Sequence, residues 1–271
     1  MSCSIKLLSA NCQGLGNIDK RMDVLKYLEQ LNCDVVCLQD THWTEKDSKR
    51  LRNLWPGEII LNGFKSNSRG VAILMKDTFE YSILDIFSDN CGNLLTVDLK
   101  TNDMSFKIIN IYAPNTDTPS IFQNVIDIID SNVLDYFLLC GDLNLVLDTN
   151  LDCYNYKYIN NPQSRKLLLK SIENENWVDI FRYFNPTTKR YTWRRKNPLK
   201  QARLDYFIAS QSFLDNVNKC VIRPGYRSDH SFVELNLITS HFVKGRGVWK
   251  FNCSLLKNKE YLIQINILIA N

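Results

Sequence analysis

Five times along this chain a short apolar run breaks off into amides, acids or histidine: Ser9-Ala10-Asn11-Cys12-Gln13-Gly14, Leu38-Gln39-Asp40-Thr41-His42, Asn110-Ile111-Tyr112-Ala113-Pro114-Asn115, Gly141-Asp142-Leu143-Asn144, and Arg203-Leu204-Asp205-Tyr206 with Ser228-Asp229-His230. Each run reads as a buried strand, and buried strands must pair their backbone groups in sheets. Polar residues directly after such a strand emerge where the sheet opens to solvent. One aspartate in that position is usually a turn former. Five such ends in one chain point instead to a shared crevice.

The runs between these ends constrain the fold. Strands are expected at Ile5–Ala10, Val35–Gln39, Glu58–Leu61, Gly70–Met75, Leu94–Leu99, Phe106–Tyr112 and Tyr136–Cys140, and later at Tyr191–Trp193, Leu204–Ile208 and Phe232–Leu237. Helical spacing marks Asp19–Leu31, with Asp19 as its N-cap, then Ser120–Asn132 and Pro162–Asn174. Thr44 with Asp47 resembles a capping arrangement for a helix through Leu54. Strands and helices do not alternate strictly, as a parallel doubly wound sheet would require. The expected class is therefore α/β (α+β): a four-layered sandwich of two packed mixed or antiparallel sheets flanked by helices. Residues 1–239 form the main body. Residues 240–271 form a linker and an apolar helix (Leu255, Leu256, Leu262, Ile265, Ile269), which points toward a longer polypeptide.

With 271 residues, 45% of them hydrophobic, the chain can bury a large core without staples. Its nine cysteines are scattered without a C-x-x-C pair and read as free thiols of a reducing compartment. With only three histidines, no spacing suits structural zinc. The first residues carry no apolar leader, and no run of 18 apolar residues crosses a membrane. Net charge is a modest +4, but it is polarised. Seven basic residues and no acid lie between Lys189 and Arg203, whereas six acids and one base lie between Asp77 and Asp103. Such a molecule can turn one face to a polyanion.

Phosphodiester hydrolysis suits these strand ends. A hard cation such as Mg²⁺ takes oxygen ligands, which Asp40, Asp229, Asn11 and Gln13 supply, and it neutralises charge growing on the phosphate. Asp142 is placed to orient and deprotonate water. Asn144, on the same side of an extended segment, would hydrogen-bond that water or the phosphoryl oxygens. His230 with Asp205 would face the transition-state anion, or make a packing hydrogen bond only; the residues leave both open.

In this order and wording, the clusters over about residues 4–238 resemble the endonuclease/exonuclease/phosphatase superfamily, which includes DNase I and the apurinic/apyrimidinic endonucleases. Thr192-Trp193-Arg194, Asn110-Ile-Tyr-Ala-Pro-Asn115 and the tail Val248-Trp-Lys-Phe-Asn252 are most similar to the endonuclease domains of LINE-type retrotransposon proteins. The resemblance implies that Asp40 is the principal metal position, with Asn11, Gln13 and Asp229 beside it. It sets Tyr112, Asp142 and Asn144 around the water and scissile phosphate, and makes Asp205 the orienter of His230. Asn115, Thr192 and Ser228 would contact the DNA backbone. The family usually has glutamate where this chain has Asp40, one methylene shorter, while Mg²⁺ holds its ligands near ~2.0–2.1 Å. Mg²⁺ is the implied cofactor, with Mn²⁺ as a substitute.

Between Thr192 and Asp205 the sequence reads as a hairpin turning near Asn197-Pro198. Its cations Arg194, Arg195, Lys196 and Lys200, with Arg203, are assigned to double-stranded DNA, against the plainer reading of a solvated basic loop. The resemblance implies one-strand nicking that leaves a 3′-hydroxyl to prime reverse transcription. It further implies a covalently linked reverse transcriptase, element RNA as a partner, action in the nucleus after cytoplasmic ribonucleoprotein assembly, and no membrane. Two alternatives stand beside it: a repair-type abasic-site endonuclease, and a DNA-binding module weakened at Asp40.

Overall fold

The computed structural model describes residues 4–238 apart from 103 and 157; the expected linker and helix of 240–271 lie outside them. In chain order the strands are β1 (Ser4–Asn11), β2 (Val35–Gln39), β3 (Gly57–Asn62), β4 (Val71–Lys76), β5 (Ser82–Ser88), β6 (Leu94–Lys100), β7 (Ser105–Tyr112) and β8 (Tyr136–Asp142). After them come β9 (Cys153–Tyr154), β10 (Trp177–Asp179), β11 (Trp193–Arg195), β12 (Lys200–Ala202), β13 (Asp205–Ser210), β14 (Val217–Arg223) and β15 (Phe232–Ile238). The helices are α1 (Ile18–Gln30), α2 (Ser48–Leu51), α3 (Pro119–Asp130), α4 (Pro162–Asn174) and α5 (Ile180–Phe184).

Two six-stranded sheets form, ordered β14-β15-β1-β2-β4-β3 and β10-β13-β8-β7-β6-β5, with a small sheet β11-β12-β9 beside them. The period of two in each strand sorts side chains onto opposite faces. Leu7, Val35, Cys37 and Ile73 meet Val97, Phe106, Ile108, Leu138, Cys140 and Phe207 between the sheets. Leu8, Ala10, Val36 and Leu38 turn outward onto Val24, Leu25 and Leu28 of α1. Ile109, Leu139 and Ile208 turn the other way, onto Phe122 and Val125 of α3 and Leu168 of α4. Helix, sheet, sheet, helix: these are the expected four layers. Both faces of β2 and β8 are thus covered, which explains their nearly unbroken hydrophobic runs.

Register carries the strand ends to one edge. Parallel pairing sets Asn11 opposite Gln39 in β1 and β2, and Tyr112 opposite Asp142 in β7 and β8. Antiparallel pairing sets Asp205, the first residue of β13, opposite Asp142, the last of β8. Gly141, at φ +127°, passes so close to β7 that a Cβ would sit 2.0 Å from the Ile111 carbonyl oxygen, so only glycine fits before Asp142.

Most elements lie where local signals place them, with several shifts. The N-cap of α1 is Asn17, whose Oδ1 accepts the Lys20 N–H at 2.9 Å, and Asp19 lies in the first turn. Asp47 does accept the Thr44 N–H, yet the helix beyond it ends at Leu51. The strand expected at Tyr191–Trp193 runs instead from Trp193 to Arg195. The elements β5, β9, β10, β14 and α5 go beyond the expected set, whereas β12 is the second strand of the expected hairpin. Among the described residues no helix is long and apolar enough to span a membrane, and seven described cysteines are free thiols.

Candidate active site

The two sheets are tied together just beneath the shared edge. The Gln39 amide nitrogen, fully buried, donates to Asn110 Oδ1 at 2.7 Å and to Ser9 Oγ at 3.2 Å. Asn110 Nδ2 in turn donates to the carbonyls of Leu38 and Ala72 at 3.0 and 2.9 Å. Buried amides must find such partners or cost stability. Here the partners belong to opposite sheets, so the network fixes one sheet edge against the other.

Above it lies a cavity of about 330 Å³ whose lining includes Asn11, Asp40, Tyr112, Asp142, Asp229 and His230. The turns around it are strained. Gln13, Asp40, His42 and Asn144 have φ of +49°, +51°, +58° and +49°, a region non-glycine residues seldom adopt outside over-determined sites. The left-handed turn also corrects one expectation: Asn144 does not continue an extended segment from Asp142. It folds back, so that its N–H donates to Asp142 Oδ1 at 2.9 Å and its Nδ2 to the Ala113 carbonyl at 2.7 Å.

Asp142 is buried and also accepts from Asn11 Nδ2 at 2.8 Å. Burial raises its carboxyl above the ordinary range, and the Asp205 charge adds to the rise. Beside it His230 Nδ1 lies 2.8 Å from Asp205 Oδ2, which leaves Nε2 facing Asp142 Oδ2 at 3.8 Å. Burial opposes an imidazolium there, but the charges of Asp205 and Asp142 and the Asp205 hydrogen bond outweigh it, and His230 is pushed up to about 10. With that rise the imidazole holds its proton at neutral pH, set between the carboxylates of Asp205 and Asp142.

Burial, then the charges of Asp40 and Asp142, raise the Tyr112 phenol, so it keeps its proton beside Asp40. Asp40 also meets His42 Nε2 at 3.1 Å. The exposed Asp229, which also lines the cavity, accepts from Trp193 Nε1 at 3.0 Å. Three carboxylates thus line the cavity against one imidazole, with no lysine or arginine among the lining residues. That imbalance, presented on hard oxygen donors, fits a divalent cation. Asp40 and Asp229 could hold it, with the Gln13 amide at the rim. Asn11 is engaged at both ends of its amide, since its Oδ1 accepts the Gln13 N–H at 2.9 Å, so it orients Asp142 more than it offers a free ligand. The ligand atoms of Asp142, Asp205 and His230 also lie within 4.8 Å of one another. Their hydrogen bonds already account for that cluster.

The basic hairpin forms as expected, β11 pairing with β12 and Trp193 bridging to His230. Arg194, Arg195 and Lys196 are exposed on it and Lys200 is half-buried, while Asn115 is exposed on the cavity wall. Three residues expected on DNA are placed otherwise. Arg203 is 1% exposed and grips Asp152 with two bonds of 2.8 and 2.7 Å and Asp179 with another of 2.9 Å. Its charge is spent inside the protein. Thr192 is fully buried, and its hydroxyl accepts the N–H groups of Leu204 and Asp205 at 2.9 and 3.2 Å, which aims Asp205. The Ser228 hydroxyl donates to the Asn11 carbonyl at 2.8 Å and accepts the His230 N–H at 3.1 Å, so it locks the turn. Sequence reasoning had given no role to Gln39, Asn110, His42 or Trp193, nor to Asn160 and Asn161, which hold the Asn144 carbonyl at 2.7 and 2.9 Å. Polarity inside apolar runs marks Gln39 and Asn110, His42 ends a polar strand-end cluster and Trp193 sits in a family-like motif, whereas nothing in the sequence marks Asn160 or Asn161.

Comparison with known proteins agrees with this geometry. Residues 8–230 match the Endonuclease/Exonuclease/phosphatase family. The "Transposon TX1 uncharacterized 149 kDa protein" of Xenopus laevis is 28% identical over 96% of this chain, which spans only 20% of that protein. An exodeoxyribonuclease of Bacillus subtilis is 27% identical over 85% of this chain and 98% of its own length. A DNA-(apurinic or apyrimidinic site) endonuclease of Dictyostelium discoideum is also 27% identical, over 83% of this chain and 68% of its own. Among solved structures, the catalytic domain of Xenopus laevis APE2 superimposes with a TM-score of 0.73 at 17% identity, over 87% of this chain and 92% of that one. The AP endonuclease LMAP of Leishmania major does so with a TM-score of 0.71 at 19% identity, over 87% and 88%. These likenesses extend the fold. The match over residues 8–230 decides the rest: the chain belongs to the Endonuclease/Exonuclease/phosphatase family, as a nuclease-type hydrolase.

Proposed function

We propose that this protein is a Mg²⁺-dependent endonuclease that nicks one strand of duplex DNA, leaving a 3′-hydroxyl and a 5′-phosphate. The observation that carries the reading is the cavity itself: the buried Asp142 and His230 share it with the carboxylates of Asp40 and Asp229, directly beside an exposed cationic hairpin.

The chain's own residues divide the work. Asp142, held by Asn11 and the Asn144 N–H, orients the attacking water and takes its proton. His230, held by Asp205, sets its cationic Nε2 toward the phosphoryl oxygens. Tyr112 and Asn144 hydrogen-bond around the phosphate. Asp40 and Asp229 would hold Mg²⁺, which when bound supplies a Lewis-acid charge against the developing oxyanion. Arg194, Arg195 and Lys196 take backbone phosphates, with Asn115 adding a contact from the cavity lining.

Similarity to a transposon protein along nearly the whole chain supports a retrotransposon setting. In that setting the 3′ end would prime reverse transcription of element RNA by a linked reverse transcriptase, in the nucleus. The competing reading, abasic-site repair, is favoured by the Dictyostelium relative. Supercoiled plasmid and an abasic duplex, each with Mg²⁺, decide between them. Nicking of intact plasmid with 3′-hydroxyl ends supports the proposal; cleavage confined to the abasic strand would replace it.

A further inference from the structure

A second trough, about 350 Å³, adjoins the active cavity and shares Asp40, Tyr112 and Asn115 with it. The hairpin lies against the first cavity through Trp193 and does not line the second. The walls of the second trough come from the 63–70 loop, from His42 and from the turn after β7. Its central side chain is Arg69, which none of the chemistry above uses.

Arg69 is built into place rather than waving in solvent. Its backbone is left-handed, at φ +61°, a conformation that a non-glycine residue holds only when its surroundings impose it. They do: the Arg69 carbonyl accepts the His42 N–H at 2.7 Å, and the next residue ties into Thr41 and Gly92 at 3.0 Å each. The guanidinium lies over the Phe64 ring, 4.9 Å from its centroid, with Lys65 5.3 Å from the same ring. Both of its hydrogen bonds to described residues leave from Nη1, to Asn93 Oδ1 at 3.3 Å and the Cys91 carbonyl at 3.5 Å. Nε and Nη2 make no hydrogen bond to a described residue, and Arg69 lines the trough. Asn93 passes the constraint on, since its Nδ2 donates to the Tyr112 carbonyl at 2.6 Å. A pre-set guanidinium with spare donors, stacked on an aromatic ring and surrounded by amides and hydroxyls, is suited to a phosphodiester. The one carboxylate in the trough is Asp40, at the border with the active cavity.

We propose that Arg69 and the loop around it form a second backbone subsite, which seats a phosphate of the cleaved strand adjoining the scissile one, in the trough that the hairpin does not line. The strand would then be held at two points, by the hairpin and by Arg69. Its position and polarity would be fixed before chemistry. This rests on the DNA-cleaving reading given above.

The test is a coupling measurement. Duplexes carrying a single neutral methylphosphonate linkage, walked one position at a time across the nicking site, are titrated in EDTA with wild type, Arg69→Ala and Asn67→Asp. Wild type should lose about tenfold in affinity at the linkage seated on Arg69, as for one charge-assisted contact. In Arg69→Ala that penalty should vanish at that linkage alone and persist at linkages held by the hairpin. Asn67 is an exposed trough residue, so Asn67→Asp spares the packed core and should weaken the same contact if Arg69→Ala fails to fold. Penalties that add at every linkage overturn the subsite, even in a protein that nicks. A wild type that shows the coupled linkage but never nicks in Mg²⁺ keeps the subsite and overturns the hydrolytic reading instead.

Discussion

The basic run before Asp205 looks uniform in sequence, yet Arg203 and Arg195 should behave as opposites. Replacing Arg203 by Met removes a guanidinium that is 1% exposed and leaves Asp152, whose side chain is wholly buried, and Asp179, whose side chain is 12% exposed, without their shared partner. Breaking a buried pair costs ~3–5 kcal/mol because a buried charge is stranded. Arg182 still bonds Asp152 from the other side, so the lower end applies, about 3 kcal/mol. For a body of this size that lowers the melting temperature by roughly 6–12 °C. Arg195→Met removes the same charge from an exposed site and should move stability by less than ~0.5 kcal/mol. Denaturant titrations give both stability changes, and the salt dependence of DNA affinity reports which arginine meets phosphate. Arg203→Met should shift the midpoint at unchanged m and leave the salt slope alone; Arg195→Met should do the reverse. An Arg203→Met protein of wild-type stability with a flattened salt slope would refute the burial argument.

Three further outcomes follow from the site. Asp142→Asn should slow plasmid nicking by about 10²–10⁴-fold with DNA affinity retained; a loss under tenfold would remove the residue from the chemistry. His230 is held up to about 10 against 6.5 unfolded. Its protonated form therefore stabilises the fold fully below pH 6.5, and that contribution fades as pH rises through about 10. Melting across that window should show a decline that is reduced in His230→Gln, and equal declines would count against the Asp205–His230 pairing. Chelation should abolish nicking and Mg²⁺ restore it, with Asp40→Ala raising the Mg²⁺ requirement at least tenfold and Asp40→Glu supporting turnover; indifference of both variants would detach Asp40 from the metal.

How far the sequence speaks depends on how local the cause is. Val35–Gln39 and Pro162–Asn174 were readable to the residue, because burial on both faces in one and a proline start in the other leave little choice. The strands β5 and β14 were not. Each carries a register shift, between Ile83 and Asp85 and between Val217 and Lys219, which breaks the period of two that reveals a strand. Most of the candidate site was legible as polar strand ends, since register alone gathers them. What escaped was the destination of particular groups. Arg203 looked like its basic neighbours because its partners, Asp152 and Asp179, lie 51 and 24 residues away. Thr192 and Ser228 turned out to serve the backbone of Asp205, Asn11 and His230, a demand that only the folded turn creates.

The Gln39–Asn110 contact has one more implication. A greasy pair of the same size would glue the layers equally well, but grease has no preferred stopping point when one layer creeps along the other. Directional bonds do. Gln39 stands one residue before Asp40, and Asn110 stands two before Tyr112, so any creep would first pull the acid of one layer away from the phenol of the other. A lock placed there acts as an alignment pin for the two jaws of the cleft, set where a slip of an ångström would matter most.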